Sequence, residues 1–416
     1  MNNKTVLVIL IVLCCLSALS AALYFFIPQK IIPVGVLHSL TGPFAEYEKT
    51  AVDATLLAID EINAHGGVLG YSISPIIVDG QSDALIFAQK AEELITKNRV
   101  AVIFCCWSST DRKAVKPIVE KYNNLLFYPV QHEGLEDSMN IAYTSTIPNQ
   151  QAIPATTWCL QNLGKKIFLI GSDELFPKAT NEIIKDTVAI SDGTIVGEIY
   201  INKKNSNTIP EVIQSIITAK PDVIINTLIG PINFTFYKEL REAGVTSEKI
   251  PTMSLCIDEP ELQKYGASYM TGDYSSWSHF QSIDRIENKL FVEKIKQRYG
   301  KDYVVSDAME AAYFGVYLWA QAVKKAQSYQ PKEVIPALKN QAFDAPEGII
   351  YIDDRSLHSW SHASVGKIRS DKQFTIVWSS DKAIPPRSYP FFKSQTEWNR
   401  LLDTWYKEWG NKWSSD

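Results

Sequence analysis

"IIPVGVLHSLTGPFAEYEKTAVDATLLAIDEINAHGG", Ile31 to Gly67, opens on an apolar run, breaks at a short polar turn, runs on as a long amphipathic stretch and stops at paired glycines. A short apolar run bounded by turn residues reads as a buried strand, and Ala45–Ala64 carries apolar residues at helical spacing. The alternation continues with "YSISPIIVD", a helix around Ala84–Lys97, "VAVIF", a helix over Asp111–Lys121, and "NLLFYPV". Strand and helix in strict alternation imply right-handed crossovers and a parallel sheet with helices on both faces.

A second series follows "PNQQAIP": a helix to Asn162, "KKIFLIGSD", a helix through Ile190, "TIVGEIYI", a helix Pro210–Ala219, "DVIINTLIG", a helix Asn233–Ala243 and "IPTMSL". The expected fold class is therefore α/β, with two doubly wound Rossmann-like lobes. In open parallel sheets a ligand crevice lies beyond the carboxyl ends of the strands. The residues to inspect are His38–Gly42, Cys105–Ser109, Tyr128–His132, Gly171–Phe176, Thr227–Gly230 and Ser254–Asp258. Beyond Tyr274 the pattern loosens into helices near Glu287–Tyr299 and Ala308–Ala326 and three strand-like pieces. The last 30 residues place Trp398, Trp405, Trp409 and Trp413 mostly on one helical face, for packing onto the body or for contact with a partner or membrane surface.

The length, 416 residues, accommodates two domains, and 46% hydrophobic with 21% charged residues describes a globular chain. A net charge of −5 without a Lys/Arg-rich run argues against nucleic acid as a partner. Lys4 followed by the apolar run Val6–Ile27 reads as an export signal. Small residues at Ala18, Ser20 and Ala22 suit cleavage, while Leu23–Ile27 extend the run to the length of a membrane anchor through residues 5–27. The Cys14–Cys15 pair suggests a lipoprotein, but the residue before either cysteine, Leu13 or Cys14, is not the small one that such signals want. The expected location is periplasmic or otherwise extracytoplasmic, where disulfides are permitted, although no spacing among Cys105, Cys106, Cys159 and Cys256 selects a pairing.

Catalytic signatures are thin: there is no G-x-S-x-G elbow, H-E-x-x-H, Walker loop or G-x-G-x-x-G after a strand. His358 and His362 have the spacing of two metal ligands on a helix, yet the stretch around them is poorly periodic and reads as a solvated loop. Cys105 and Cys106 end a strand, where successive side chains face opposite ways, so at most one points at a given neighbour. A thiol-dependent amide hydrolase would need Cys106 activated by His132. The strand ends better suit a pocket for a small neutral molecule. Trp107, Tyr128 and Phe176 offer apolar walls, Ser108, Ser109, Gln131 and Thr227 neutral hydrogen-bonding groups, and Glu174 and Asp258 carboxylate acceptors. No catalytic residue, metal or cofactor is expected.

"GVLHSLTGPFAEYEKTAVDATLLAIDEINAHGGVLG", "FCCWSSTDRKAVKPIVEKYNNLLFYPVQHEGLE", "IPNQQAIPA", "IGSDELFP", "DVIINTLIG" and "MEAAYFGVYLW" resemble the urea and short-chain amide binding proteins of ABC transporters. These are type I periplasmic binding proteins, relatives of the leucine-binding proteins and of the amide-sensing regulator. The resemblance covers Ile31 to about Ser380. It implies two lobes joined by a hinge that close on a ligand, with chain crossings between them. The boundaries expected are a signal or anchor at 1–30, lobe 1 at 31–145 plus about 275–335, lobe 2 at 146–274 plus about 336–380, and a tail at 381–416. The ligand residues implied are Trp107, Ser109, Tyr128, Val130 and Gln131 from the first lobe and Glu174, Phe176 and Thr227 from the second. Two departures stand out: Glu174 replaces the Tyr usual after "GSD", and His132 the Tyr usual before "EG". The expected function is capture of urea or a short amide for an ABC permease, with ligand sensing for a membrane receptor or kinase as the alternative.

Overall fold

The computed structural model describes residues 30–202 and 208–415 of the protein. The N-terminal apolar run, with its signal, anchor and lipoprotein readings, lies outside the described residues. The first lobe is built on β1 (Ile31–His38), β2 (Ser72–Asp79), β3 (Ile103–Cys105), β4 (Leu126–Tyr128) and β5 (Ile141–Tyr143), in the order β2-β1-β3-β4-β5. Every pairing in it is parallel. Its crossover helices are α1 (Ala45–Ala64), α2 (Ala84–Thr96) and α3 (Ser109–Lys121). The turn after α1 requires glycine: Gly67 has φ +73° and a Cβ there would lie 1.9 Å from the Tyr71 carbonyl oxygen. Asp83 caps α2, and Ser108 with Asp111 forms a capping box that starts α3.

The second lobe contains α4 (Ala152–Asn162), β6 (Lys166–Ser172), α5 (Leu175–Ile190), β7 (Thr194–Ile201), α6 (Ile209–Ala219), β8 (Val223–Thr227), α7 (Ile232–Glu242), β9 (Thr252–Ser254), α8 (Glu259–Tyr265) and β10 (Tyr274–Trp277). The chain then crosses back through α9 (Ile286–Tyr299), α10 (Asp307–Ala326) and α11 (Pro331–Leu338). A small antiparallel sheet follows, made of β11 (Ala342–Ala345), β12 (Gly348–Ile352) and β13 (Ser359–Trp360). Finally β14 (Ser364–Ile368) and β15 (Phe374–Ser379) complete the second sheet, whose order is β15-β14-β10-β9-β8-β6-β7. The pairings from β7 to β10 are parallel, and β14 and β15 add an antiparallel edge.

Helix α10 explains the return to the first lobe. It is apolar nearly all round, and Met309, Phe314, Val316 and Trp319 are buried in one core with Ile32, Val34, Ala54 and Ala58. That core also takes in Val334 and Leu338 of α11 and Ala345, Ile350, Ile352 and Leu357 around the small sheet. The segment after residue 336 thus packs with the first lobe, and the chain rejoins the second only at β14, later than the boundary near 336 that the resemblance implied. The apolar faces of β11 and β12 are covered by α10 rather than by the second sheet.

The tail ends in α12 (Gln395–Glu408), started by a Ser394/Glu397 capping box. Trp398 is fully buried and donates its indole N–H to the Pro390 carbonyl (2.9 Å). With Leu402 it packs against Leu135 of the first lobe and Leu175, Ala179 and Ile183 of the second, and Trp405, Trp409 and Trp413 flank the cluster. The Trp-rich face therefore packs onto the body across both lobes. Among the described residues no helix is long and apolar enough to cross a membrane.

Candidate functional site

The strand ends face each other across a cleft between the lobes. On the first lobe, strand alternation stops at Cys105, because Cys106 takes φ +79° and its sulfur bonds to that of Cys105. The expectation that the two side chains face opposite ways fails for this reason, and both cysteines are fully buried. The chain then presents Trp107 to the cleft and enters α3 through Ser108. The Ser108 hydroxyl accepts from the Asp111 backbone N–H (3.0 Å), whereas the N–H groups of Ser109 and Thr110, in the first turn, have no intrahelical acceptor.

Below this wall lies a buried ionic network. Arg112 donates to Glu133 (2.6 Å), Glu136 (2.9 Å) and the Ser109 hydroxyl (3.1 Å), and its guanidinium lies 4.8 Å from the centre of the Tyr128 ring. Burial works to raise the Glu136 carboxyl, but Arg112 and then Lys113 outweigh it and hold it well below the usual range. The Ser109 hydroxyl donates to Glu133 (2.5 Å), so its position is set from beneath.

The cleft is lined by Phe44, Tyr47, Trp107, Ser108, Ser109, Thr110, Val130 and Gln131 on one side. Glu174, Leu175, Phe176, Ile229, Gly230, Cys256, Asp258 and Glu261 face them, and Trp277 and Ala308 lie near the crossings. Its free volume is about 70 Å³, well below the roughly 300–1,000 Å³ of pockets that take drug-sized ligands. No Lys or Arg is among the described lining residues. Asp258 caps α8 and accepts from the Glu261 N–H (3.4 Å). Burial, and for Glu261 also the charge of Asp258, raises both carboxyls.

Contacts across the cleft hold it closed. The hydroxyls of Tyr47 and Tyr265 are 3.3 Å apart, Lys264 pairs with Glu46, and Gln131 reaches the Leu255 carbonyl at 3.4 Å. Trp107 and Tyr47 stand with ring centres 6.0 Å apart on the same wall.

Eight of the ten residues expected from the sequence line this cleft: Trp107, Ser108, Ser109, Val130, Gln131, Glu174, Phe176 and Asp258. Tyr128 does not. It is fully buried and donates its hydroxyl to the Trp107 carbonyl (2.7 Å), supporting the wall from behind. Thr227 is also fully buried, its hydroxyl 3.1 Å from both the Ile170 carbonyl and the Asn181 side chain. Glu261 and Tyr47 escape the sequence pattern because they lie on helices beyond the strand-end turns, and Trp277 because it ends β10, where the alternation of apolar runs had loosened. A carboxylate at Asp258 with another at Glu261, one helical turn on, was the available signal for the first of them.

The thiol hydrolase reading fails. Cys106 is disulfide-bonded, and His132 stacks on Tyr143 (4.9 Å) and His358 (5.4 Å), where burial holds it well below its usual value and neutral. His358 and His362 flank strand β13, so their spacing does not bring them to one helical face. Among the described residues no group of three or more His, Cys, Asp or Glu is placed to hold a metal ion.

Comparison with known proteins decides the family: the profile described as "Periplasmic binding protein domain" matches residues 32–395. The chain belongs to the periplasmic binding protein family. Its members are extracytoplasmic solute-binding proteins rather than enzymes. The leucine-, isoleucine-, valine-, threonine- and alanine-binding protein of Pseudomonas aeruginosa is 22% identical over 78% of this periplasmic binding protein and 86% of its own length. A limonene hydroxylase of Geobacillus stearothermophilus is 38% identical over 122 residues, which are 29% of this chain and only 22% of that one. Among solved structures, an ABC-transporter solute-binding protein of Rhodopseudomonas palustris in complex with p-hydroxybenzoic acid superposes with a TM-score of 0.79 at 23% identity, over 86% of this chain and 98% of that one. The isoleucine complex of a Streptococcus pneumoniae branched-chain amino acid binding protein gives 0.73 at 19% identity, over 84% and 99%. At these identities the structures share the fold.

Proposed function

We propose that this periplasmic binding protein captures urea or a short-chain amide between its lobes and delivers it to an ABC permease. The observation that carries this reading is the division of polar groups in a cleft of about 70 Å³. The first lobe offers donors, the N–H groups of Ser109 and Thr110 at the start of α3. The second offers acceptors, the carboxyl groups of Glu174, Asp258 and Glu261. A planar ligand with a carbonyl at one end and amino groups at the other satisfies both walls at once, with Trp107 covering its face. Closure is then stabilised only when both lobes are engaged.

Isoleucine and p-hydroxybenzoate, the ligands of two similar folds, each carry a carboxylate. In this cleft a carboxylate could reach the N–H groups of Ser109 and Thr110, but no described Lys or Arg balances its charge and three acidic side chains stand opposite. Equilibrium dialysis of labelled urea and acetamide against an excess of leucine tests the reading. Retention of a label that leucine does not displace supports it, and displacement by leucine refutes it.

A further inference from the structure

We propose that the C-terminal segment Trp413–Ser415 is a working part of the binding site, holding the Asp173–Leu175 turn that carries Glu174 and tying that turn to the first lobe. The inference rests on the functional reading above only in giving Glu174 a ligand to meet.

Glu174 caps α5 in an extended conformation (φ −139°, ψ 167°), with no side-chain bond to the helix. Its own N–H donates to the Ser172 carbonyl (2.9 Å) and its carbonyl accepts from the Lys178 N–H (3.1 Å), while Ser414 of the tail bridges to it in antiparallel fashion through the residues on either side. The Leu175 N–H donates to the Trp413 carbonyl (3.3 Å) and the Ser415 N–H to the Asp173 carbonyl (3.3 Å). Leu175 is the first residue of α5, so its N–H has no acceptor in its own helix, and the tail carbonyl takes the place that solvent or a ligand would otherwise fill. The Ser415 hydroxyl adds a bond to the Asp173 carbonyl (3.0 Å) and accepts from the Asn202 side chain (3.1 Å).

The segment also touches the other lobe. Lys113 of α3 places its ammonium 5.1 Å from the centre of the Trp413 ring, while its charge pairs with Glu136 in the network beneath Ser109. A groove beside the cleft shares Phe44, Ser108, Thr110 and Glu174 with it, and Trp413 and Ser414 form part of the groove's wall. The tail thus stands beside an access route to the ligand. Its anchor is separate, since Trp398 and Leu402 pack upstream of it.

The test compares the full chain with a chain ending at Gly410, with Ser415→Pro and with Trp413→Phe. Hydrogen exchange at the Leu175 amide and stopped-flow dissociation of urea and acetamide are the readouts. Truncation should speed Leu175 exchange and ligand dissociation about five- to tenfold each, the factor of one ordinary hydrogen bond, while the amides of β6 stay unchanged. Ser415→Pro, which removes one donor and one hydroxyl, should move both readouts in the same direction. Trp413→Phe keeps the carbonyl that accepts from Leu175 but gives Lys113 a weaker ring, so Leu175 exchange should stay near that of the full chain while ligand dissociation speeds up less than on truncation. Unchanged Leu175 exchange in the truncated chain overturns the proposal, as does faster exchange with ligand dissociation within twofold of the full chain. If the full chain takes up neither urea nor acetamide, the functional reading fails, and Leu175 exchange alone decides whether the segment holds the turn.

Discussion

Replacing Arg112 by Met probes the foundation of the ligand wall. The guanidinium is fully buried between two buried carboxylates. After the change Glu136 keeps Lys113, whereas Glu133 keeps only the Ser109 hydroxyl and no cation. Removing one partner of a buried pair costs about 3–5 kcal/mol, and the surviving Lys113 contact places this case near the lower end, about 3 kcal/mol. If the cost is an uncompensated charge, then adding Glu133→Gln should restore about half of it or more, because the double variant buries no bare carboxylate. The assay is equilibrium guanidinium unfolding of the four members of the cycle, followed by tryptophan fluorescence at pH 7. Strictly additive losses in the double variant would refute the reasoning.

Other predictions concern the cleft and the buried acids. Glu174→Gln should weaken urea binding about 10- to 100-fold, the value of a charge-assisted hydrogen bond of roughly 1.5–3 kcal/mol, and calorimetry showing an unchanged affinity would remove Glu174 from the site. Tyr128→Phe should cost about 1 kcal/mol of stability by leaving the Trp107 carbonyl without its donor, and should change affinity less than Glu174→Gln does; a larger affinity loss would return Tyr128 to the ligand shell. Burial, with Asp307 nearby, pushes the Glu347 carboxyl up to about 8. Its folded value lies above its unfolded one, so the stability it contributes is fully present below about pH 4 and is lost as pH rises through about 8. The thermal midpoint should therefore fall less between pH 5 and pH 9 in Glu347→Gln than in the natural chain, and parallel falls would contradict the shift.

The alternation of apolar runs and amphipathic stretches was enough to read the parallel strands β1–β4 and β6–β9 and the turns after them, while the short edge strand β5 and the crossing strand β10 went unread. It did not show that β11–β13 belong with the first lobe, because short antiparallel strands carry no mark of which body covers their apolar face. Local pattern placed Trp107, Ser109, Glu174 and Asp258 at strand ends, and these residues do meet in one cleft. Tyr128 and Thr227 lie at the same kind of position, yet they turn inward to satisfy a carbonyl and an asparagine. Which way a side chain turns at a strand end depends on partners distant in sequence. The Cys105–Cys106 bond was hidden for a related reason, since the alternation rule holds only while the strand continues. The Trp-rich tail was legible as a helix, but its reach to Glu174 was not.

The central claim is that a small neutral N–H-bearing solute, not a carboxylate, closes this cleft. Isothermal titration of the protein with urea, formamide, acetamide, leucine and p-hydroxybenzoate in turn tests it most directly. Saturable one-to-one heat from urea or an amide, with none from leucine or p-hydroxybenzoate, is the predicted result. Saturable heat from either carboxylate with silence from urea and the amides would contradict the account.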